Sequence, residues 1–175
     1  MTEPESPAAQ ALDAAGYTDD LDPHLAPFFR CWLDTFIFRS RLDARLRELA
    51  ILRIMWRCGQ AFEWGNHYRH ARQAGVTRAE VLAIRTSAPE HDLNGTLALL
   101  VGAADEVVDA GAVGATTMDE LGAVFAPPLL DELLYVLAGY RMFATVSASK
   151  RAPHPSSHAP WPPDGIGPES AHDSE

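Results

Sequence analysis

The stretch Leu49–Trp56 (LAILRIMW) is apolar on nearly every side and carries a single charge, Arg53. A helix with one apolar stripe lies on a surface, whereas a helix that is apolar all round has to be enclosed by other elements. This segment therefore predicts a buried helix. Period-two alternation bounded by turn residues is not evident anywhere in the chain. The expected fold is all-α, a helical bundle with little or no sheet.

Helix punctuation supports that expectation. Asp22-Pro23 suits an N-cap and first-turn proline for a helix through Phe28, Phe29 and Trp32, and Ser40 precedes the long apolar segment. Gly75 marks the end of the helix that follows, and Thr77-Arg78-Ala79-Glu80 has the spacing of a capping box. Asn94 to Ala110 is a full helix length stopped by Gly111, Thr117–Glu120 reads as a second capping box, and Pro127-Pro128 opens the last long helix.

A chain of 175 residues is one domain by length, large enough to bury a core without metal or disulfide staples. Residues 1–18 form an acidic, Pro-containing segment expected to be a flexible tail, and 19–150 the helical domain. Residues 151–175 hold six prolines with Ser, His and Gly, and are expected to be disordered, His154, His158 and His172 included.

The formal net charge of −10 and pI near 5.0 argue against a general nucleic-acid partner. No apolar run reaches membrane-span length, the N-terminal MTEPESPAAQ has no secretory h-region, and Cys31 and Cys58 form no CxxC. A cytoplasmic protein with no membrane partner is expected. Six of the fourteen basic residues lie between Arg39 and Arg57, which reads either as solvated helix faces or as a cationic mouth for an anionic substrate.

The chemistry concentrates just after the apolar segment. On a helix, Gln60, Glu63, His67 and His70 fall on one narrow stripe, and Trp64, Tyr68 and Ala71 form an apolar stripe beside it. A carboxylate next to an imidazole moves protons near neutral pH, and burial of a Glu favours its neutral, proton-donating form. Glu63 and His67 are the candidate pair, with Glu48 at the mouth of the buried helix as the third member. Gly65 sits mid-helix, where it leaves room for a close approach. Arg53 and Arg57, four apart on the apolar helix, need partners: either they pair with Glu48 or Glu63, or they clamp a substrate carboxylate. Together with Gln60 and Trp64 they are the candidate substrate contacts. His70 is expected to face solvent, since Glu63, His67 and His70 on one helix are not a common ligand set, so neither a metal nor another cofactor is expected. A GxSxG elbow, a P-loop and a GxGxxG are all absent, and the only lysine is Lys150.

The positions Glu48, Gln60, Glu63 and His67 resemble the Glu-x11-Cys-x2-Cys-x3-His frame of the AhpD and carboxymuconolactone decarboxylase superfamily, with the outer Glu and His kept and both cysteines missing. The EWxxH text at Glu63–His67, the Ala71–Thr77 run and the Thr116–Val146 segment are similar to its cysteine-free, decarboxylase-like branch. The resemblance implies a proton relay between Glu48 and His67 and a cofactor-free lyase acting on a small organic acid or lactone. It also implies a homo-oligomer, a trimer or hexamer. The redox step of the peroxidase branch does not carry over, because Gln60 and Glu63 cannot form a disulfide. Cys58 stands two residues off the frame, about 200° around the helix from Gln60.

Overall fold

The computed structural model describes residues 21–86, 93, 95–150 and 160–168. Among them are seven α-helices, one π-helical turn and no strand. The chain divides into two compact units, residues 1–41 and 42–175. The expected flexible tail at 1–18 lies outside the described residues, as do His154, His158 and His172.

The first unit contains α1, Ala26–Leu33, followed by a π-helical turn over Asp34–Phe38. Asp22 is not the cap expected of it: the N-cap position is Leu25, with no side-chain cap, and the Asp22 carboxylate accepts from the His24 N–H at 2.8 Å in the turn before the helix. Trp32 packs on Phe36 with ring centroids 5.2 Å apart. The wider π turn had no sequence signal.

In the second unit, α2 (Ala44–Arg57) is the centre. It packs against α3 (Ala61–Gln73), α5 (Gly95–Ala110) and α7 (Pro127–Lys150). Every residue from Glu48 to Trp56 is buried, as an all-round apolar helix requires. Leu49, Ile51, Leu52, Ile54 and Met55 expose no surface; burial of each such side chain contributes roughly 1.5–3 kcal/mol. The cap of α2 is Asp43, whose carboxylate accepts from the Leu46 N–H at 3.0 Å, rather than Ser40. Aspartate one residue before the helix outcompetes a more distant serine.

Gly75 ends α3 at φ +85°. The capping box at Thr77 then starts the short α4 (Arg78–Ala83), with both reciprocal bonds present at 3.2 and 2.9 Å. The second expected box is not formed. α6 (Ala115–Val124) starts at Gly114, and the Thr117 hydroxyl donates instead to Glu106 on α5 at 2.6 Å. A carboxylate across the inter-helix turn is the stronger acceptor, and Glu106 also takes the Gly114 N–H at 2.7 Å.

Residues 160–168 depart from the expected disorder. Trp161 lies against Trp56 and Trp64 with centroids 5.5 and 5.8 Å away. Asp164 accepts from Arg85 at 2.8 and 3.0 Å, and the Arg85 guanidinium covers the Trp56 ring at 4.6 Å. A Cβ on Gly167 would stand 2.6 Å from Trp161 Nε1, so only glycine lets the backbone fold over this indole. One large aromatic supplies enough apolar area to anchor a segment whose remaining residues are small or polar. The composition of 151–175 dilutes that anchor among prolines and serines.

Candidate functional site

The centre of the site is a carboxylate–imidazole pair between neighbouring helices. His67 on α3 donates from Nδ1 to Glu48 Oε2 on α2 at 2.7 Å, and both residues are buried. The expected approach of these two side chains is therefore present. Arg47, which the sequence did not single out, places its Nε and Nη2 at 3.1 and 2.9 Å from Glu48 Oε1. Burial alone would push the Glu48 carboxyl up; the adjacent His67 and Arg47 outweigh it and hold the group below its ordinary value. Glu48 is thus a fixed carboxylate with each oxygen occupied by a donor.

The other ring nitrogen of His67, Nε2, stands 3.9 Å from Glu63 Oε2, one helical turn back on α3 and beyond hydrogen-bonding distance. Burial pushes the Glu63 carboxyl up, and His67 and the Asn66 amide only partly counter it. Asn66 itself is buried. Its Oδ1 accepts from Arg69 at 2.8 Å, while its Nδ2, although close to Glu63, makes no hydrogen bond of acceptable geometry among the described residues. Tyr140 from α7 sets its ring edge-on to His67, centroids 4.8 Å apart at 90°. Neither Tyr140 nor Asn66 carried a sequence signal beyond its residue type.

His70 corrects an expectation. It is half-buried rather than solvent-facing, with its ring 5.7 Å from that of His67 and nearly perpendicular to it. Burial first, then the neighbouring His67, lowers its pKa and favours the neutral ring. One ligand-competent atom from each of Glu48, His67 and His70 lies within 4.8 Å of the others.

The remaining nominated residues have other occupations. Arg53 is fully buried and makes a bidentate pair with Asp105 on α5 at 2.6 and 2.8 Å; its Nη1 donates to the Ile84 carbonyl at 2.7 Å. Arg57 pairs with Asp105 at 2.7 Å and Asp109 at 2.6 Å. The guanidiniums thus pair with neither Glu48 nor Glu63, and the carboxylate they clamp belongs to the protein. Trp64 is likewise withdrawn from solvent, with its N–H donated to the Pro162 carbonyl at 2.7 Å. Gln60 caps the start of α3 and turns its amide back onto the Cys58 carbonyl at 3.1 Å. A Cβ on Gly65 would meet nothing within 4 Å, so no close approach explains that glycine. Burial raises the Cys58 thiol, with Arg141 and Arg57 opposing it, which disfavours the reactive thiolate. A groove of about 690 Å³ between α5, α6 and α7, lined in part by Val108, Met118, Leu134 and Arg141, contains none of the nominated residues.

Comparison with protein families gives one match: the Carboxymuconolactone decarboxylase family, over residues 23–106. This match supports a likeness of residues 23–106 to the carboxymuconolactone decarboxylase/AhpD-like superfamily. No curated protein and no solved structure is matched. The matched segment includes Glu48, Gln60, Glu63 and His67 and stops before α6 and α7, so the likeness of Thr116–Val146 to the late helices of the superfamily is not covered by it. Glu48 and His67, the two residues expected to keep the outer Glu and His of the superfamily frame, are hydrogen-bonded to each other. No described helix is long and apolar enough to cross a membrane.

Proposed function

We propose that this protein is a cofactor-free acid–base enzyme acting on a small organic acid or lactone, with chemistry of the carboxymuconolactone decarboxylase type. The observation that carries the reading is the buried Glu48–His67 hydrogen bond, which orients the imidazole and leaves Nε2 directed at Glu63. Glu48, kept ionised by its two neighbours, fixes the ring and stabilises it when it takes up a proton. Glu63, raised by burial, is suited to hold a proton and deliver it. In a decarboxylation, the bond to the departing carboxylate breaks and its electron pair passes into a conjugated carbonyl. The resulting enolate collects a proton at carbon from His67 or Glu63, and solvent restores that proton. The unsatisfied Asn66 Nδ2 is a donor for the enolate oxygen. The same groups serve isomerisation, dehydration or lactone opening.

We further propose a homo-oligomer, a trimer or hexamer. Tyr135, Met142 and Val146 share one exposed face of α7, which supports an apolar subunit contact. Light scattering at micromolar concentration checks this, and a mass near 19.1 kDa contradicts it.

The peroxide-reducing alternative has no observation in its favour, given the raised Cys58 thiol. An unbiased comparison of a metabolite extract incubated with and without the protein tests the enzyme reading. A substrate–product pair is expected with the native chain and not with His67→Ala. An unchanged extract, or the same conversion by His67→Ala, overturns it.

A further inference from the structure

We propose that Glu48, His67 and His70 form a binding site for one transition-metal dication of the Zn²⁺ class, with a coordination position left open to solvent. The sequence argued against a metal because Glu63, His67 and His70 on a single helix are a poor ligand set. The fold changes the set: it replaces Glu63 by Glu48 from the neighbouring helix, so that the donors converge from α2 and α3 with their ligand atoms within 4.8 Å of one another.

Ligands at about 2.0–2.1 Å from a tetrahedral ion stand roughly 3.3 Å apart. Glu48 Oε2 and His67 Nδ1, now 2.7 Å apart, need to separate by about half an ångström, and His70 needs to close in from within 4.8 Å. Both are rotamer-scale adjustments. Arg47 keeps Glu48 Oε1, which makes the carboxylate a one-oxygen ligand through Oε2. The hydrogen on Nδ1 passes to Nε2 or to solvent when the ion takes the Nδ1 lone pair. On Nε2 it faces the Glu63 carboxyl 3.9 Å away, which becomes the outer carboxylate that commonly orients a metal-bound imidazole. Tyr140 packs edge-on against His67, and half-buried His70 gives the ion its entry. Two imidazoles and one carboxylate select Zn²⁺, Co²⁺ or Ni²⁺ over Mg²⁺ and Ca²⁺, which prefer all-oxygen shells.

The ion and the metal-free acid–base reaction use the same Glu48–His67 pair, so they are alternative states of it; binding is read without substrate, and the inference does not depend on that reaction. The full chain, stripped with chelator, is titrated with Zn²⁺ by calorimetry and with Co²⁺ by visible absorption. One ion per chain and the intense bands of four-coordinate Co²⁺ are expected. His70→Ala and Glu48→Gln are each expected to weaken binding at least roughly tenfold. A variant with His154, His158 and His172 all changed to Ala is expected to bind as the native chain does. X-ray absorption on the native Zn²⁺ complex, which needs no variant to fold, is expected to show two imidazoles. No binding, an affinity unmoved by His70→Ala, loss of binding in the triple variant, or fewer than two imidazoles overturns the proposal.

Discussion

Two charged clusters are built on the same buried helix, five residues apart, and they are finished differently. At Arg53 the cluster is closed: a guanidinium without exposed surface meets a bidentate carboxylate and a backbone carbonyl, and Arg57 ties the same Asp105 to Asp109 at the rim. At Glu48 the cluster is open. Both oxygens are engaged, yet His67 Nε2 ends 3.9 Å from Glu63, and Asn66 Nδ2 has no hydrogen-bond partner among the described residues. A closed cluster holds helices in register, and nothing in it can exchange a proton with a ligand. The open one leaves acid, base and donor available together. Burial of charge is common to both clusters; what separates them is that the pairing at Glu48 is incomplete.

The largest expected effect breaks the closed cluster. Asp105→Ala strands the Arg53 guanidinium in the core, and removal of one partner of a buried pair costs about 3–5 kcal/mol. Urea denaturation measures it. A loss no larger than that of His67→Ala would remove the distinction between the clusters.

Next comes the open cluster. His67→Ala is expected to reduce turnover of the substrate found by metabolite comparison by roughly 10²–10⁴-fold while circular dichroism stays helical. Glu63→Gln should follow the same pattern, since an amide keeps the shape and cannot exchange the proton. Near-native turnover of Glu63→Gln would leave only Glu48 and His67 in the mechanism.

The two carboxyls of the open cluster also differ in the sign of their pH dependence. Glu48 is lowered in the fold, so its contribution is present above the ordinary value of 4.5 and is lost as pH falls through the folded value. Glu63 is raised, so its contribution is present below 4.5 and is lost as pH rises through the folded value. Relative to the native chain, Glu48→Gln should therefore lose stability from pH 4 to pH 7, whereas Glu63→Gln should gain it. Denaturation midpoints at the two pH values decide, and parallel behaviour of the variants would contradict the assignment.

What the sequence made legible follows interaction range. The Thr77 box, the Gly75 and Gly111 stops and the Pro127 start depend on neighbours within a turn, and each is where the pattern puts it. Asp105 is 52 residues from Arg53, so no local pattern could name it as the partner, and the basic pair was free to look like a substrate clamp. Trp64 was misread for the same reason: its cover comes from Pro162 and Trp161, 98 and 97 positions away. The Glu48–His67 approach also spans two helices; there the family frame supplied what local spacing cannot. Periodicity places His70 toward solvent because it gives a direction on a helix and not what packs against it.

The smallest effect lies at the rim of the closed cluster and tests how far closure extends. Asp109 pairs with Arg57 at 2.6 Å, yet its side chain is 62% exposed and that of Arg57 25%. Water solvates both groups, so the attraction is screened, and Arg57 keeps Asp105 when Asp109 is removed. Asp109→Ala is therefore expected to cost about 0–1 kcal/mol, and less in high salt. Asp105→Ala should keep most of its effect in the same salt, because Arg53 has no exposed surface through which ions screen it. Denaturation of the two variants at low and high salt separates the cases. A salt-insensitive loss of several kcal/mol in Asp109→Ala would extend the closed cluster to the helix surface and make Arg57, like Arg53, part of the core.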